Sequence, residues 1–101
     1  MHWIVMTRDK DDAAALRAAT RDAHRAYIWR KDLPARLLLG APLATDDGAT
    51  GFGSWLLVEA PDRATVEAFL ADDPYVLAGL TAEISVTALH NGFDASRIAP
   101  P

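Results

Sequence analysis

Two segments of this chain, Trp3-Ile4-Val5-Met6 and Trp55-Leu56-Leu57-Val58, are apolar at every position. Both are short and rich in β-branched or large residues, so each reads as a strand. Side chains alternate across a strand, and a sheet with one wet face therefore shows an alternating pattern. Here Ile4 and Met6 alternate with Trp3 and Val5, and Leu56 and Val58 alternate with Trp55 and Leu57. Both faces of the sheet are then apolar. A large exposed apolar patch is a liability on a monomer. The simplest cover for the second face is the same sheet of a second copy, packed by two-fold symmetry. A homodimer through the sheet face is the expected assembly.

The rest of the chain supplies the elements around those strands. His2 to Thr7 forms the first strand and stops at the polar run Arg8-Asp9-Lys10-Asp11-Asp12. A helix is predicted from Asp11 or Asp12, whose carboxylate suits an N-cap, to about Lys31. Leu16, Ala19, Ala23 and Tyr27 recur at helical spacing as its buried stripe. Pro34 closes that segment, and Arg36 to Gly40 reads as a second strand. A loop from Ala41 to Gly51 follows, with turn chemistry from Pro42, Asp46, Asp47 and Gly48. Phe52 to Ala60 is the third strand, stopped by Pro61. Asp62 caps a second helix whose buried positions fall among Ala64, Val66, Ala68, Phe69 and Leu70. Asp72-Asp73-Pro74-Tyr75 breaks it, a short helical turn runs to Leu80, and Glu83 to Leu89 is the last strand.

The order β-α-β-β-α-β is the ferredoxin-like pattern: an α+β fold with a four-stranded antiparallel sheet and two helices on one face. A chain of 101 residues, 50% of them hydrophobic, supports one packed core. The domain is placed at residues 1–94, with 95–101 as a C-terminal tail.

Several functions are disfavoured. A net charge of -4 argues against nucleic acid, which needs a basic face. The chain has no cysteine, so it offers no disulfide, thiolate nucleophile or Cys-ligated metal. No apolar run approaches the roughly 20 residues of a membrane helix, and the N-terminal residues lack a basic leader and a long apolar stretch. A cytoplasmic protein is expected. Gly48, Gly51 and Gly53 fit no phosphate-loop or dinucleotide fingerprint, and no serine sits in a nucleophile elbow, so no cofactor is expected.

Five pieces of the sequence carry a resemblance: Trp3-Ile4-Val5-Met6; Arg21-Asp22-Ala23-His24; Leu39-Gly40-Ala41-Pro42; Gly51-Phe52-Gly53-Ser54; and Asp73-Pro74-Tyr75-Val76-Leu77-Ala78-Gly79-Leu80. Together they resemble the YciI-like (YCII-related) family over about residues 2 to 90. The most specific are the Arg-x-x-His and the Asp-Pro-Tyr with a Gly four residues beyond the Tyr. The resemblance implies the dimeric α+β barrel, an architecture that also hosts muconolactone isomerases and small cofactor-free monooxygenases. It implies a His–Asp pair proposed as a catalytic dyad, carried here by His24 and Asp73. One relative is a dehydrochlorinase acting on a chlorinated hydroxyhydroquinone, and most members have no assigned activity. The chain departs from the family where it reads Gly40-Ala41-Pro42 in place of the common Ala-Gly-Pro, which bears on the pocket rim.

An imidazole exchanges protons near neutral pH, and a carboxylate behind it fixes its tautomer. His24 falls on the shoulder of the helix stripe, with Arg17, Arg21 and Ile28 as helical neighbours. Asp73 ends the second helix on the same side of the sheet. Arg21 is a candidate to hold a substrate anion, although an ion pair with Asp22 or Asp73, or simple solvation, is the commoner fate of such a residue. Tyr75 is a candidate to donate a hydrogen bond to substrate, with core packing as the plainer role. Trp29, Trp55 and Phe52 read as core or interface. His2 and His90 approach each other where the first and last strands pair, but no third ligand stands at a recognisable spacing, with Asp94 and Glu83 the nearest candidates, so no metal is expected. Two readings are open. In one, the chain is a cofactor-free enzyme using the pair for elimination or isomerisation of a small cyclic or unsaturated acid or phenol. In the other, it is a non-catalytic, dimeric small-ligand-binding or stress-associated module.

Overall fold

The apolar strand segments find one another in a single antiparallel sheet. The computed structural model describes all residues, 1–101. Its elements are β1 (His2–Asp9), α1 (Ala14–Ile28), β2 (Arg36–Ala44), β3 (Gly51–Glu59), α2 (Arg63–Ala71), α3 (Pro74–Leu77) and β4 (Thr81–Ala88), with a 3₁₀ turn at Ala95–Arg97. The sheet order is β2-β3-β1-β4, the ferredoxin-like arrangement, with the two apolar strands at its centre.

Register assigns the faces. Trp3 pairs with Val58 and Val5 with Leu56, while Leu37 of β2 pairs with Val58. These five side chains share one core cluster with Ile28 of α1 and with Val66, Phe69 and Leu70 of α2, so the helices cover this face. The Trp3 indole N–H donates to the Ala60 carbonyl at 3.1 Å, which satisfies the one polar atom of that ring within the core. On the opposite face Ile4 pairs with Leu57, Met6 with Trp55, and Leu39 with Leu57. Met6 and Leu39 are exposed, and Leu57 is buried outside the main core. The centre of the second face is apolar, as expected, while Ser85 and Thr87 make it polar along β4.

Three local expectations need correction. The N-cap of α1 is Ala13, with no side-chain cap; Asp12 instead adopts a left-handed φ of 56°, a conformation that Asp tolerates better than most residues. The buried line of α1 is Arg17, His24 and Ile28, with Tyr27 half-buried, while Leu16, Ala19 and Ala23 are exposed. That line is largely polar because the helix closes over a charged network and not over oil. Finally, β2 continues past Gly40 through Ala44. Pro42 is accommodated because β2 is an edge strand, where a missing N–H costs no ladder bond. A bulge between Leu37 and Leu39 resets its alternation, so that Gly40, opposite Leu56, returns to the helix face.

Asp62 caps α2 as expected: its carboxylate accepts from the Thr65 backbone N–H at 2.8 Å and the Thr65 hydroxyl at 2.7 Å. Of the positions proposed for its buried side, Val66, Phe69 and Leu70 are buried and Ala64 and Ala68 are exposed.

Candidate active site

Two side chains 49 positions apart meet between α1 and α3. His24 Nδ1 lies 2.7 Å from Asp73 Oδ1, and both residues are buried. Asp73 is the N-cap of α3, and the same Oδ1 accepts from the Tyr75 backbone N–H at 2.9 Å. Pro74 at the first helical position presets the φ that this cap requires. The helix then ends at Gly79, whose φ of 78° is left-handed, and that reversal lets the Leu80 N–H return to the Tyr75 carbonyl. The Asp-Pro-Tyr and the later glycine thus form one capped turn that holds the carboxylate in place. An ionised carboxylate only accepts, so Nδ1 of His24 is the donor. In the neutral ring Nε2 is then the free base. It bonds no protein atom and stays open to the cavity that His24 lines.

Tyr75 is also buried, and its ring stacks on the His24 imidazole with centroids 3.8 Å apart and planes 13° from parallel. For Tyr75 core packing and substrate contact are the two expected roles. The ring packs, and it also lines the cavity.

A second network, unforeseen from sequence, lies beside the first. Arg17 Nη1 donates to both carboxylate oxygens of Asp9, at 2.9 and 3.0 Å, and Nη2 donates to the Gly53 carbonyl at 2.7 Å and Ser54 Oγ at 3.0 Å. Its guanidinium also lies over the Tyr75 ring, 4.7 Å from the centroid. Gly53 is required here by close approach, since a Cβ would fall 2.1 Å from the Thr7 carbonyl oxygen. A polar residue at helical spacing from His24 was the available signal. It points to a buried cation only if the acid at the end of β1 is known to face it.

The cavity has a volume of about 360 Å³, at the small end for ligand sites. His24, Tyr75 and Ser54 lie along it with Arg17, Arg21 and Arg25 from the same helix, and Gly40, Ala41 and Pro42 line it from β2. No carboxylate lines it. Arg21 makes no ion pair with Asp22 or Asp73 and stays exposed on the cavity side. Trp29, half-exposed, joins the lining, while Trp55 and Phe52 do not. Behind the site, the Tyr27 hydroxyl donates to the Phe69 carbonyl at 2.7 Å. Its pKa is raised by burial and, secondarily, by the Asp72 and Asp73 carboxylates.

The rival pair of histidines does not assemble. His2 Nε2 faces Glu59 at 3.5 Å and its ring meets Phe93 edge-on, whereas His90 Nδ1 accepts from the Gly92 N–H of its own turn. No group of three or more His, Cys, Asp or Glu side chains is placed to hold a metal ion. No helix is long and apolar enough to cross a membrane.

Comparison with known proteins bears on the family and the fold. The YCII-related domain matches residues 1–90. The protein YciI of Escherichia coli is 33% identical over 91 residues, covering 85% of this chain and 93% of that protein. An uncharacterised protein of Haemophilus influenzae is 30% identical over a stretch of the same length. Among solved structures, the 5-chloro-2-hydroxyhydroquinone dehydrochlorinase of Burkholderia phenoliruptrix, in complex with 2,5-dihydroxybenzoquinone, superposes with a TM-score of 0.75 at 28% identity. That match covers 91% of this chain and 96% of the dehydrochlorinase.

Proposed function

The chain belongs to the YCII-related domain family, and on that premise we propose that it is a cofactor-free enzyme in which His24 moves a proton on a small cyclic or unsaturated acid or phenol. The observation that carries this reading is the buried Asp73–His24 bond of 2.7 Å, with Nε2 of the imidazole left free toward the cavity. Asp73 orients the ring and stabilises the imidazolium that forms, which is the task of a carboxylate behind a general base. In an elimination, Nε2 takes a proton from the substrate, the electrons of that bond form the new double bond, and the leaving anion departs. The imidazolium then gives its proton to water. In an isomerisation it returns the proton at another carbon. Arg21 and Tyr75 serve substrate binding, Arg21 by steadying an anionic oxygen and Tyr75 by presenting its ring and hydroxyl beside the base.

The dehydrochlorinase that this chain resembles acts on a chlorinated hydroquinone. Net loss of HCl from such a ring needs a proton delivered to the chlorine-bearing carbon and one removed from a hydroxyl, and a single imidazole can exchange both. The alternative, a non-catalytic binding module, is favoured where the acid merely caps its own helix. Asp73 does cap α3, but the same oxygen also engages His24. The apolar second sheet face supports a homodimer packed through Met6, Leu39 and Trp55, and light scattering that reports a monomer at micromolar concentration contradicts it. Activity is tested by following chloride release and ring absorbance for a panel of chlorinated and hydroxylated ring compounds. Turnover by the wild type and its loss in His24→Ala support the enzyme; equal turnover by both removes it.

A further inference from the structure

The charges around the cavity are one-sided. The chain carries a net charge of -4, yet three arginines and a histidine line the cavity, and no acid does. The two acids of the site, Asp9 and Asp73, lie behind the basic groups that they serve. Arg17 is neutralised by Asp9 and fixed by Gly53 and Ser54. Arg21 and Arg25 differ from it: both are exposed, and neither has an ion-pair or hydrogen-bond partner in the protein.

Arg21 and Arg25 stand one helical turn apart, so their side chains are neighbours on the surface of α1. Like charges at that spacing repel; Arg25, in the last turn of α1, answers the helix dipole, but Arg21 has no such role. The pairing makes sense if an anion sits between the two forks, since guanidinium groups bind a carboxylate in bidentate fashion. His24 lies between them in sequence and lines the same cavity, and the half-exposed indole of Trp29 stands one turn beyond Arg25. Ile28 and Leu56 add apolar wall. A space of about 360 Å³ holds the equivalent of about a dozen waters, enough for one substituted ring.

We infer that Arg21 and Arg25 form a carboxylate clamp at the cavity mouth, and that the ligand is a planar ring acid whose ring lies toward His24 and Tyr75. Arg25 is thereby a specificity residue, selecting ring carboxylates over neutral phenols. This inference rests on reading the cavity as the substrate site, but the two fail separately. Turnover that survives His24→Ala removes the catalytic reading, whereas the clamp is judged by binding alone.

The experiment is calorimetric titration of the full chain with salicylate and with its neutral amide, salicylamide, at low and at high salt. Salicylate is expected to bind at least tenfold more tightly, with the preference shrinking as salt rises. Arg25→Gln and Arg21→Gln should each abolish most of the preference while leaving salicylamide binding in place, and Arg25→Lys should restore part of it. Both positions are exposed, so the variants test the clamp without threatening the fold. Equal affinity for the two compounds, a preference untouched by Arg25→Gln, or no binding of either at millimolar concentration overturns the inference. Inorganic phosphate binding as tightly as salicylate overturns the assignment to a ring carboxylate.

Discussion

The His24 imidazole and the Tyr75 phenol ring are stacked, with centroids 3.8 Å apart and planes 13° from parallel. One oxygen of Asp73 holds both partners, through the side chain of the first and the backbone of the second. The base and the ring beside it are therefore fixed by a single cap, and the cap ties the fold of α3 to the chemistry of α1.

Asp73→Asn separates those two duties. Asparagine caps a helix about as well as aspartate, so α3 and the thermal stability should change little. The amide can donate as well as accept, so it no longer enforces one tautomer of the ring. Nitrogen NMR of the ring, at a pH where the imidazole is neutral, should show the Nδ1–H form in the wild type and a mixture in the variant. Turnover should fall by about 100-fold or more. An unchanged tautomer in the variant contradicts the orienting role.

Arg17→Met should be destabilising by about 3–5 kcal/mol in denaturant unfolding, because it leaves Asp9 buried beside no cation. Adding Asp9→Leu should recover much of that loss, since a buried pair replaced by apolar groups is often near neutral. A single variant as stable as the wild type contradicts the description of this pair as buried and mutually dependent.

The α2 cap supplies a pH-dependent term with a definite sign. The Thr65 hydroxyl, and then its backbone N–H, hold the Asp62 carboxyl below its ordinary pKa. The stability it contributes is complete above the usual aspartate range and is lost as pH falls through the lower folded value. Asp62→Asn keeps a cap and removes the titration, so its acid unfolding curve should be shallower than that of the wild type. Asp62→Ala should be less stable than the wild type at neutral pH, with the gap narrowing as the pH falls. Identical acid limbs for the wild type and Asp62→Asn contradict the assignment.

Much of this was legible in the sequence because it depends on local rules. Apolar strands, Asp62 before a helical run, and Asp-Pro-Tyr followed by a glycine each announce their structure through nearest neighbours. His24 and Asp73 became a pair through family resemblance and the adjacency of their elements. Arg17 and Asp9 stayed hidden because a buried ion pair looks, in one dimension, like two solvated residues at the ends of two elements. The stripe of α1 misled for the same reason: alanines at helical spacing carry little burial signal, and the helix buries its polar line. β2 runs further than its sequence announces because Ala41-Pro42 resembles a loop, and only its place at the sheet edge admits the proline.

The central claim is that Nε2 of His24 exchanges protons with a ligand in the cavity. Solvent deuterium incorporation at carbon tests it without knowledge of the full reaction. Hydroxylated aromatic and unsaturated ring acids are incubated with the protein in D₂O, and loss of their C–H signals is followed by NMR. The wild type should accelerate exchange of at least one such compound by about 100-fold or more over His24→Ala, with the variant still folded. Equal exchange by wild type and His24→Ala, or no acceleration by the wild type for any of them, contradicts a catalytic His24–Asp73 pair.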